Sequence, residues 1–301
     1  MRECDEAIWR LFLLHMKAEK RSKATEDAYW YALADLSASL PAGTDLLGAG
    51  QEEITAWLAG LNDRVSASTA GTYQRRAKTF YKHMSETGIY EAEHPMRGID
   101  MITADDNIMR CPREDEILQL LKACEGKDWR ARRDYAMVRV LLEAGTPRAS
   151  ELARLRMDAV DQRNGEVQIH GKGRNERAIS LGAKSSRALL LWLRARQGRA
   201  LASRPLTRDL VFFTAWGPMD KDSARKIIGA RCAEAGITPA LTPHDFRRFT
   251  YDKWEGSGGS ETAAMKLWGW RTRAMPELYG RQNEGRRAIG HAREMSLGDQ
   301  I

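Results

Sequence analysis

Two short runs in which polar and apolar residues alternate carry the clearest strand signal in this sequence. They cover residues 166–170 and 177–181, and the residues Gly-Lys-Gly-Arg-Asn between them favour a tight turn. We therefore predict a β-hairpin, with one further short strand at residues 210–213. The other periodic segments have the spacing of amphipathic helices, so the chain is predicted to be mainly α with a small antiparallel β-sheet.

The first part of the chain, residues 1–97, is predicted to be an all-helical domain. Amphipathic runs predict helices at residues 7–18, 29–40, 54–61 and 66–86. Ser22 and Thr25 are placed to cap the second of these helices. Residues 98–111 are polar with little periodicity and are predicted to be a linker. Residues 112–301 form a second domain, which begins with a helix at residues 114–123 and contains the hairpin.

The helix predicted at residues 66–86 has two chemically distinct faces. One face is apolar, and the opposite face carries Thr72, Arg75, Arg76, Thr79 and Lys82. A basic face of this kind fits the major groove of DNA, although the same pattern is common on helices that face only solvent. The set of candidate DNA-contacting residues is completed by Lys23, Thr25 and Arg174.

The overall charge points to the same kind of partner. The chain has 301 residues, a formal net charge of +7 and a pI of about 9.3, with 43% hydrophobic and 30% charged residues. Such a composition is typical of a folded globular protein, and the basic surplus favours a polyanion such as double-stranded DNA. A basic protein without a polyanionic partner is the alternative.

The sequence also bears on location and on metals. It has neither the profile of a signal peptide nor an apolar run near the roughly 20 residues of a membrane span. The cysteines are widely spaced, and no Cys/His pair has the spacing of a zinc site. We expect a cytoplasmic protein with reduced thiols and without a metal or other cofactor.

Two basic residues in the second domain stand where they could meet a phosphate. Arg148 lies at a junction between two predicted helices, from which its guanidinium can donate a fixed fork of hydrogen bonds. Lys172 lies in the hairpin turn between two glycines, which permit a close approach to a ligand. The simpler alternatives are an ion pair between Arg148 and Glu151 and a solvated lysine.

A second group of candidates follows in the last third of the chain. His244 and Arg247 are three residues apart and share one face of a helix that begins near Pro243, so both lie at its positive end. Trp270 supplies an indole N–H, and Tyr279 supplies a phenol that needs a base or an electrostatic field to become a nucleophile. Core packing is the alternative for both aromatic residues.

In the order and spacing of these groups, the chain resembles the tyrosine recombinase (phage integrase) family over nearly its whole length. The matching residues are Arg148, Lys172, His244, Arg247, Trp270 and Tyr279. The resemblance implies an all-helical core-binding (SAM-like) domain, an α+β catalytic domain, and the simple two-domain plan of Xer/Cre-like recombinases without a separate arm-binding domain. Three positions depart from the usual pattern: Thr146-Pro147 before the first arginine, Phe246 where leucine is common, and Trp270 where histidine is common.

The resemblance also implies a mechanism. Tyr279 attacks the scissile phosphate to form a 3′-phosphotyrosine and release a 5′-hydroxyl, while Arg148 and Arg247 stabilise the transition state. Lys172 is the general acid toward the leaving oxygen, and His244 transfers a proton at the nucleophile. Trp270 donates to the phosphate or positions Tyr279, and neither metal nor ATP is implied.

The resemblance implies partners as well. We expect strand exchange in a homotetramer on two DNA sites, a C-terminal tail that docks on a neighbouring subunit, a possible accessory protein, and association with the nucleoid. Two other functions stay open: DNA relaxation of the type IB topoisomerase kind, and a non-catalytic DNA-binding protein with the same fold.

Overall fold

The structure is a computed structural model that describes residues 1–90, 94–103, 110–171 and 176–296. The chain divides into two compact units, Met1–Asn107 and Ile108–Ile301, and the division falls within the predicted linker. Part of that linker belongs to the first unit. The side-chain amide of Gln74 donates to the carbonyl of Asp100 over 2.8 Å and accepts from the backbone of Ile102 over 2.7 Å.

The described part of the first unit is built from helices. Their bounds are α1 Glu3–Ala18, α2 Lys23–Ser39, α3 Gln51–Arg64 and α4 Ala67–Glu86. The hydroxyls of Ser22 and Ser66 accept from backbone N–H groups of α2 and α4, which fixes where these helices begin. The apolar faces of the four helices meet in one core that includes Phe12, Leu36 and Phe80.

The described part of the second unit adds eight helices and a small sheet. The helices are α5 Glu114–Ala123, α6 Trp129–Leu141, α7 Ala149–Ala153, α8 Ala183–Gln197, α9 Lys221–Glu234, α10 Pro243–Gly256, α11 Glu261–Trp268 and α12 Ala274–Met295. The strands are β1 Val160–Asp161, β2 Glu166–His170 and β3 Glu176–Ser180. The sheet is antiparallel with the order β1-β2-β3, so the prediction of a mainly α fold with a small antiparallel sheet is confirmed.

The hairpin pairs as predicted, with Val167 opposite Ile179 and Ile169 opposite Arg177. The strand predicted at residues 210–213 is wrong, because this segment makes only isolated bridges at Leu210 and Phe213. Its backbone is satisfied in another way. The N–H of Val211 donates to the carbonyl of Leu155 over 2.7 Å, and the carbonyl of Val211 accepts from the indole of Trp192 over 2.9 Å.

Two hydrophobic clusters organise the second unit. The larger surrounds Trp192, Phe212 and Phe213. The smaller, which we call the aromatic cluster, consists of Tyr251, Ala264, Trp268, Trp270 and Tyr279. Within the described ranges, none of the helices is both long and apolar enough to cross a lipid bilayer.

Candidate active site

Arg148 stands at the N-terminus of α7, where it is the N-cap residue. Its backbone N–H donates to one carboxylate oxygen of Glu151 and its guanidinium to the other, both over 2.8 Å. The side chain of Arg148 is 41% exposed, whereas that of Glu151 is 4% exposed. The ion pair considered as the alternative function of Arg148 is therefore present, and it leaves the guanidinium half-exposed in a fixed place.

Glu151 is held by a further arginine. Arg177 on β3 donates to the carboxylate of Glu151 over 2.8 and 3.2 Å. Burial alone would raise the pKa of Glu151, but the hydrogen bonds from Arg177 and Arg148 outweigh it and lower that pKa to about 2. Glu151 is thus a permanent anion that orients Arg148.

The loop before Arg148, where the chain departs from the family pattern, is tightly constrained. Gly145 has a φ of +81°, and a Cβ atom there would lie 2.6 Å from the carbonyl oxygen of Leu267. The hydroxyls of Thr146 and Thr250 are 2.6 Å apart, which ties the loop to α10. The unusual residues before Arg148 therefore form an ordered turn.

Helix α10 carries His244 and Arg247 on its first turns. It begins at Pro243, and Thr242 and Asp245 form a capping box in which the backbone N–H of Thr242 donates over 2.7 Å. The sequence between residues 242 and 245 thus fixes the start of the helix and the direction of both functional side chains. Arg247 is 1% exposed.

Arg247 is fixed by backbone carbonyls from two different segments. Its guanidinium donates to the carbonyl of Thr146 and, over 2.9 Å, to the carbonyl of Trp268. Burial lowers the pKa of Arg247 to about 10, so the group is still a cation at neutral pH. A buried cation of this kind favours an anionic ligand beside it.

Tyr279 lies beside His244. The phenol oxygen is 3.4 Å from Nδ1 of His244, and the tyrosine side chain is mostly buried in the aromatic cluster. Partial burial, together with the positive charges of Arg247 and Arg248, lowers the pKa of His244. The imidazole is therefore neutral at physiological pH and is able to accept a proton from a phenol.

Tyr279 lies near the start of α12, which continues to Met295. The helix therefore presents the phenol within two turns of its first residue, Ala274.

Trp270 supports the tyrosine. The two rings are 5.0 Å apart at 34°, and the guanidinium of Arg247 lies 5.8 Å from the centre of the Trp270 ring. Gly269 ends α11 in the left-handed conformation with a φ of 66°, which turns the chain so that Trp270 enters the cluster. The indole Nε1 of Trp270 is buried and has no hydrogen-bond partner within the described part of the chain.

Arg148, His244 and Arg247 meet at one cleft of about 350 Å³. Its lining residues are Arg148, Ala149, Lys221, Asp222, Arg225, Thr242, Pro243, His244 and Arg247. Lys221 and Arg225 were not among the predicted site residues, although their spacing of one helical turn at the start of α9 is a signal for a shared basic face. Lys172 and Arg174, both predicted site residues, lie outside the described residues.

The remaining candidate DNA-contacting residues belong to the first unit. On α4, Arg75, Thr79 and Lys82 are exposed, while Thr72 and Arg76 are partly buried. On α2, Lys23 has a neighbouring anion, since its ammonium lies 2.9 Å from Asp27.

Thr25 is also engaged within its own unit. Its hydroxyl lies 2.9 Å from that of Ser22, the residue that caps α2. The geometry of the α4 face is therefore the more open of the two candidate surfaces.

The cleft and the adjoining Tyr279 together supply the groups needed to act on a phosphodiester. Two guanidiniums can hold a phosphate, and a phenol stands next to a neutral imidazole. Among the residues that the structure describes, no three His, Cys, Asp and Glu side chains are grouped so that they could hold a metal ion.

Comparison with known proteins assigns the chain to a family. The model described as the phage integrase family matches residues 112–286. The chain belongs to the phage integrase family. It is a site-specific DNA recombinase, and the relatives that it resembles along most of its length are tyrosine recombinases.

Two such relatives and one solved structure illustrate the likeness. The tyrosine recombinase XerC of Shewanella sp. (strain ANA-3) is 27% identical over 89% of this chain and 88% of its own. The tyrosine recombinase XerD of Pseudomonas aeruginosa is 27% identical over 91% and 92%. The Tn1549 transposon integrase, solved in complex with transposon right end DNA, is 15% identical over 96% and 99%, with a TM-score of 0.74, and supports the fold.

Proposed function

We propose that this recombinase cleaves and rejoins DNA through a covalent link between Tyr279 and the 3′ side of the scissile phosphate. The observation that carries the proposal is the pairing of the Tyr279 phenol with His244, 3.4 Å apart, beside a cleft lined by Arg148 and Arg247. A nucleophile next to its base and beside two phosphate-binding cations is the arrangement that a phosphoryl transfer requires.

We propose the following bond changes. The phenol oxygen of Tyr279 attacks phosphorus while its proton passes to the imidazole of His244. The bond between phosphorus and the 5′ oxygen breaks, and that oxygen takes a proton from Lys172. Arg148 and Arg247 neutralise the charge that builds up on the non-bridging oxygens, and the indole N–H of Trp270 donates to one of them.

The covalent link conserves the energy of the phosphodiester, so the reaction is proposed to proceed without metal or ATP. Attack of a free 5′-hydroxyl on the phosphotyrosine reverses the step and joins the new strands. Nothing leaves the site in this cycle except the exchanged DNA.

Strand exchange between two DNA sites is proposed to take place in a homotetramer associated with the nucleoid, with or without an accessory protein. The C-terminal part of α12 is proposed to dock on a neighbouring subunit. Its exposed apolar side chains Ile289 and Met295, 58% and 49% accessible, support this role, because burial of such groups between subunits is favourable.

The test is a nicked duplex from which the cleaved 5′ fragment diffuses away, so that the covalent complex accumulates. The target sites come from a pool of duplexes selected by binding to this chain. We expect a covalent protein–DNA adduct with the wild type and none with Tyr279→Phe, which keeps the ring in the aromatic cluster. An adduct that persists in Tyr279→Phe would contradict the assignment of the nucleophile.

The same preparation discriminates the other activity that the chemistry allows. Wild-type protein that relaxes any supercoiled plasmid, without joining two sites, would favour a relaxing enzyme of the type IB topoisomerase kind. Recombination confined to the selected sites supports the proposal.

The proposed DNA contacts of α4 have a separate test. Replacing Arg75 and Arg76 by Ala removes two cations from the basic side of α4, so DNA affinity should fall. Its dependence on salt should flatten by roughly one counterion for each phosphate that the helix no longer neutralises. Titrations at several salt concentrations measure this, with Lys23→Ala as a comparison because that lysine already pairs with Asp27. An unchanged salt dependence of the affinity would mean that this face of α4 contacts only solvent and not DNA.

A further inference from the structure

Arg177 is a buried cation on the apolar face of the hairpin. It lies opposite Ile169 and on the same face of β3 as the fully buried Ile179. Its side chain is 7% exposed. A charged group is rarely buried without a strong reason, because its removal from water is costly.

The contacts of Arg177 join the segments that carry the proposed catalytic residues. Its guanidinium donates two hydrogen bonds to Glu151, the residue that orients Arg148, and one to the carbonyl of Gly145 over 3.4 Å. Gly145 opens the turn whose next residue, Thr146, accepts from Arg247. One side chain therefore touches both the cap of α7 and the turn before it.

Arg177 also reaches the segment that leads to Trp270. A Cβ atom on Gly269 would lie 3.5 Å from Nη1 of Arg177, so the backbone at the end of α11 packs against the guanidinium. The Nε of Arg177 is buried and has no partner among the described residues. The guanidinium is thus placed by its contacts with these segments even though one of its donors is left unused.

We infer that Arg177 is a positioning residue for strand cleavage: by holding Glu151 and the Gly145 carbonyl together, it sets the direction of the Arg148 guanidinium toward the phosphate. The inference rests on the proposed function, since it concerns the same cleft. The alternation of β3 places Arg177 on the same face as Ile179, but no local pattern reveals that its partner is Glu151.

The competing explanation is that Arg177 only stabilises the fold. The chain offers a matched control for this possibility. Arg133 on α6 is likewise buried and paired with a buried carboxylate, that of Asp134, over 2.7 Å, but its backbone partner is the carbonyl of Phe213 in the main core. Loss of either arginine weakens the pairing of a buried carboxylate.

The experiment is single-turnover cleavage of the nicked duplex by Arg177→Met, Arg177→Lys and Arg133→Met. Loss of folded protein lowers the amplitude of adduct formation, whereas misplacement of Arg148 lowers the rate constant. We expect the rate constant of Arg177→Met to fall by about 10²-fold, as for a misplacement near 1 Å, with DNA affinity within about threefold of the wild type. Arg177→Lys should recover part of the rate, and Arg133→Met should lose amplitude only.

A double variant sharpens the result. If Arg177 acts through Glu151, then Glu151→Gln combined with Arg177→Met should cleave no more slowly than Glu151→Gln alone. A wild-type rate constant in Arg177→Met would overturn the positioning role while leaving the proposed function intact. Absence of an adduct with the wild type would instead overturn the proposed function and this inference with it.

Discussion

Two regions of the second unit build the site in different ways. The polar platform, formed by the turn at residues 145–148 and the start of α10, is held by hydrogen bonds with definite directions. For example, the guanidinium of Arg247 donates to the carbonyls of Thr146 and Trp268, which lie in two separate segments. The aromatic cluster, by contrast, holds Tyr279 by ring packing and by one long contact with His244, at 3.4 Å.

The difference suits the two tasks. A phosphate-binding cation must be aimed before the substrate arrives, and directional hydrogen bonds provide that aim. A nucleophile that bonds to DNA and is later released must be able to shift by a fraction of a bond length. Ring contacts such as the 5.0 Å pair of Trp270 and Tyr279 allow such a shift more readily than a hydrogen-bond network does.

The largest effect is expected from removing the centre of the platform. Arg247→Gln deletes the buried cation, and the rate constant for adduct formation should fall by about 10²- to 10³-fold, the usual loss for a donor that stabilises a transition state. The unpaired carbonyls should also lower the free energy of unfolding by about 1–3 kcal/mol. Single-turnover cleavage and urea unfolding measure the two losses separately.

The neighbouring arginine provides the control. Arg248 lies on the same helix and pairs with Asp245 over 2.7 Å, without lining the cleft. Arg248→Gln should keep the cleavage rate close to that of the wild type, because neither Arg248 nor its partner Asp245 lines the cleft. If the cleavage rate fell equally in the two variants, it would depend on the net charge of the platform and not on the orientation of the Arg247 guanidinium.

The next effect tests the junction between the two regions. His244 has a lowered pKa, so wild-type cleavage should be constant at neutral pH and above and should fall as the pH drops below 6.5 and the imidazole becomes protonated. His244→Gln should lose this acid limb and cleave about 10²-fold more slowly at pH 8, the lower range for a general base. A variant that keeps the same acid limb would place the titrating group elsewhere.

The same shift has a consequence for stability, with a definite sign. Because the pKa of His244 is lower in the folded chain than its ordinary value of 6.5, the unfolded chain binds more protons between these two values. The free energy of unfolding should therefore decrease as the pH falls through this window, and His244→Gln should lack that component. Urea unfolding at about pH 7.5 and about pH 5.5, on either side of the ordinary histidine pKa, compares the two proteins.

The second unit and α4 also show which elements could be predicted from the sequence alone. The helices α4 and α5 were predicted close to their observed bounds, because Ser66 and the apolar periodicity act locally. The hairpin followed from its alternation in the same way. The segment at residues 210–213 did not form a strand, since its partners are the Leu155 carbonyl and the Trp192 indole, which no local pattern reveals.

The site divides along the same line. His244 and Arg247 were placed on one helix face from their spacing, and the Thr242–Asp245 capping box carries that information locally. The burial of Arg177 against Glu151 and the closure of the aromatic cluster depend on segments far apart in the chain. Long-range contacts of this kind leave no periodic signal, and only the folded structure exposes them.

A smaller effect is expected within the aromatic cluster. Trp270→Phe removes a buried N–H without a partner in the described residues, together with part of the ring. The smaller ring leaves a cavity in the aromatic cluster, so stability should fall by about 1–3 kcal/mol. Cleavage should slow by roughly tenfold if that N–H serves the phosphate.

Trp268 supplies a matched control for this variant. It belongs to the same cluster, and its Nε1 is likewise buried without a partner in the part of the chain that the structure describes. Trp268→Phe should change stability by a similar amount and leave cleavage unchanged. A similar slowing in both variants would mean that ring size, and not the Trp270 donor, positions Tyr279.

The smallest effect is expected from the contact between the Thr146 turn and α10, and it tests whether the turn keeps its position without that contact. Thr250→Val removes the hydroxyl that lies 2.6 Å from that of Thr146 but keeps the shape of the side chain. The Thr146 hydroxyl still has the carbonyls of Leu141 and Glu143 within 3.1 Å, so the loss should be about 1 kcal/mol of stability, with cleavage within about threefold. A cleavage rate constant lowered by roughly tenfold or more, at full amplitude, would approach the 10²-fold loss of a 1 Å misplacement. It would mean that the Thr146 turn depends on α10 for its position. The platform would then be as easily displaced as the aromatic cluster, and the contrast between the two regions would not hold.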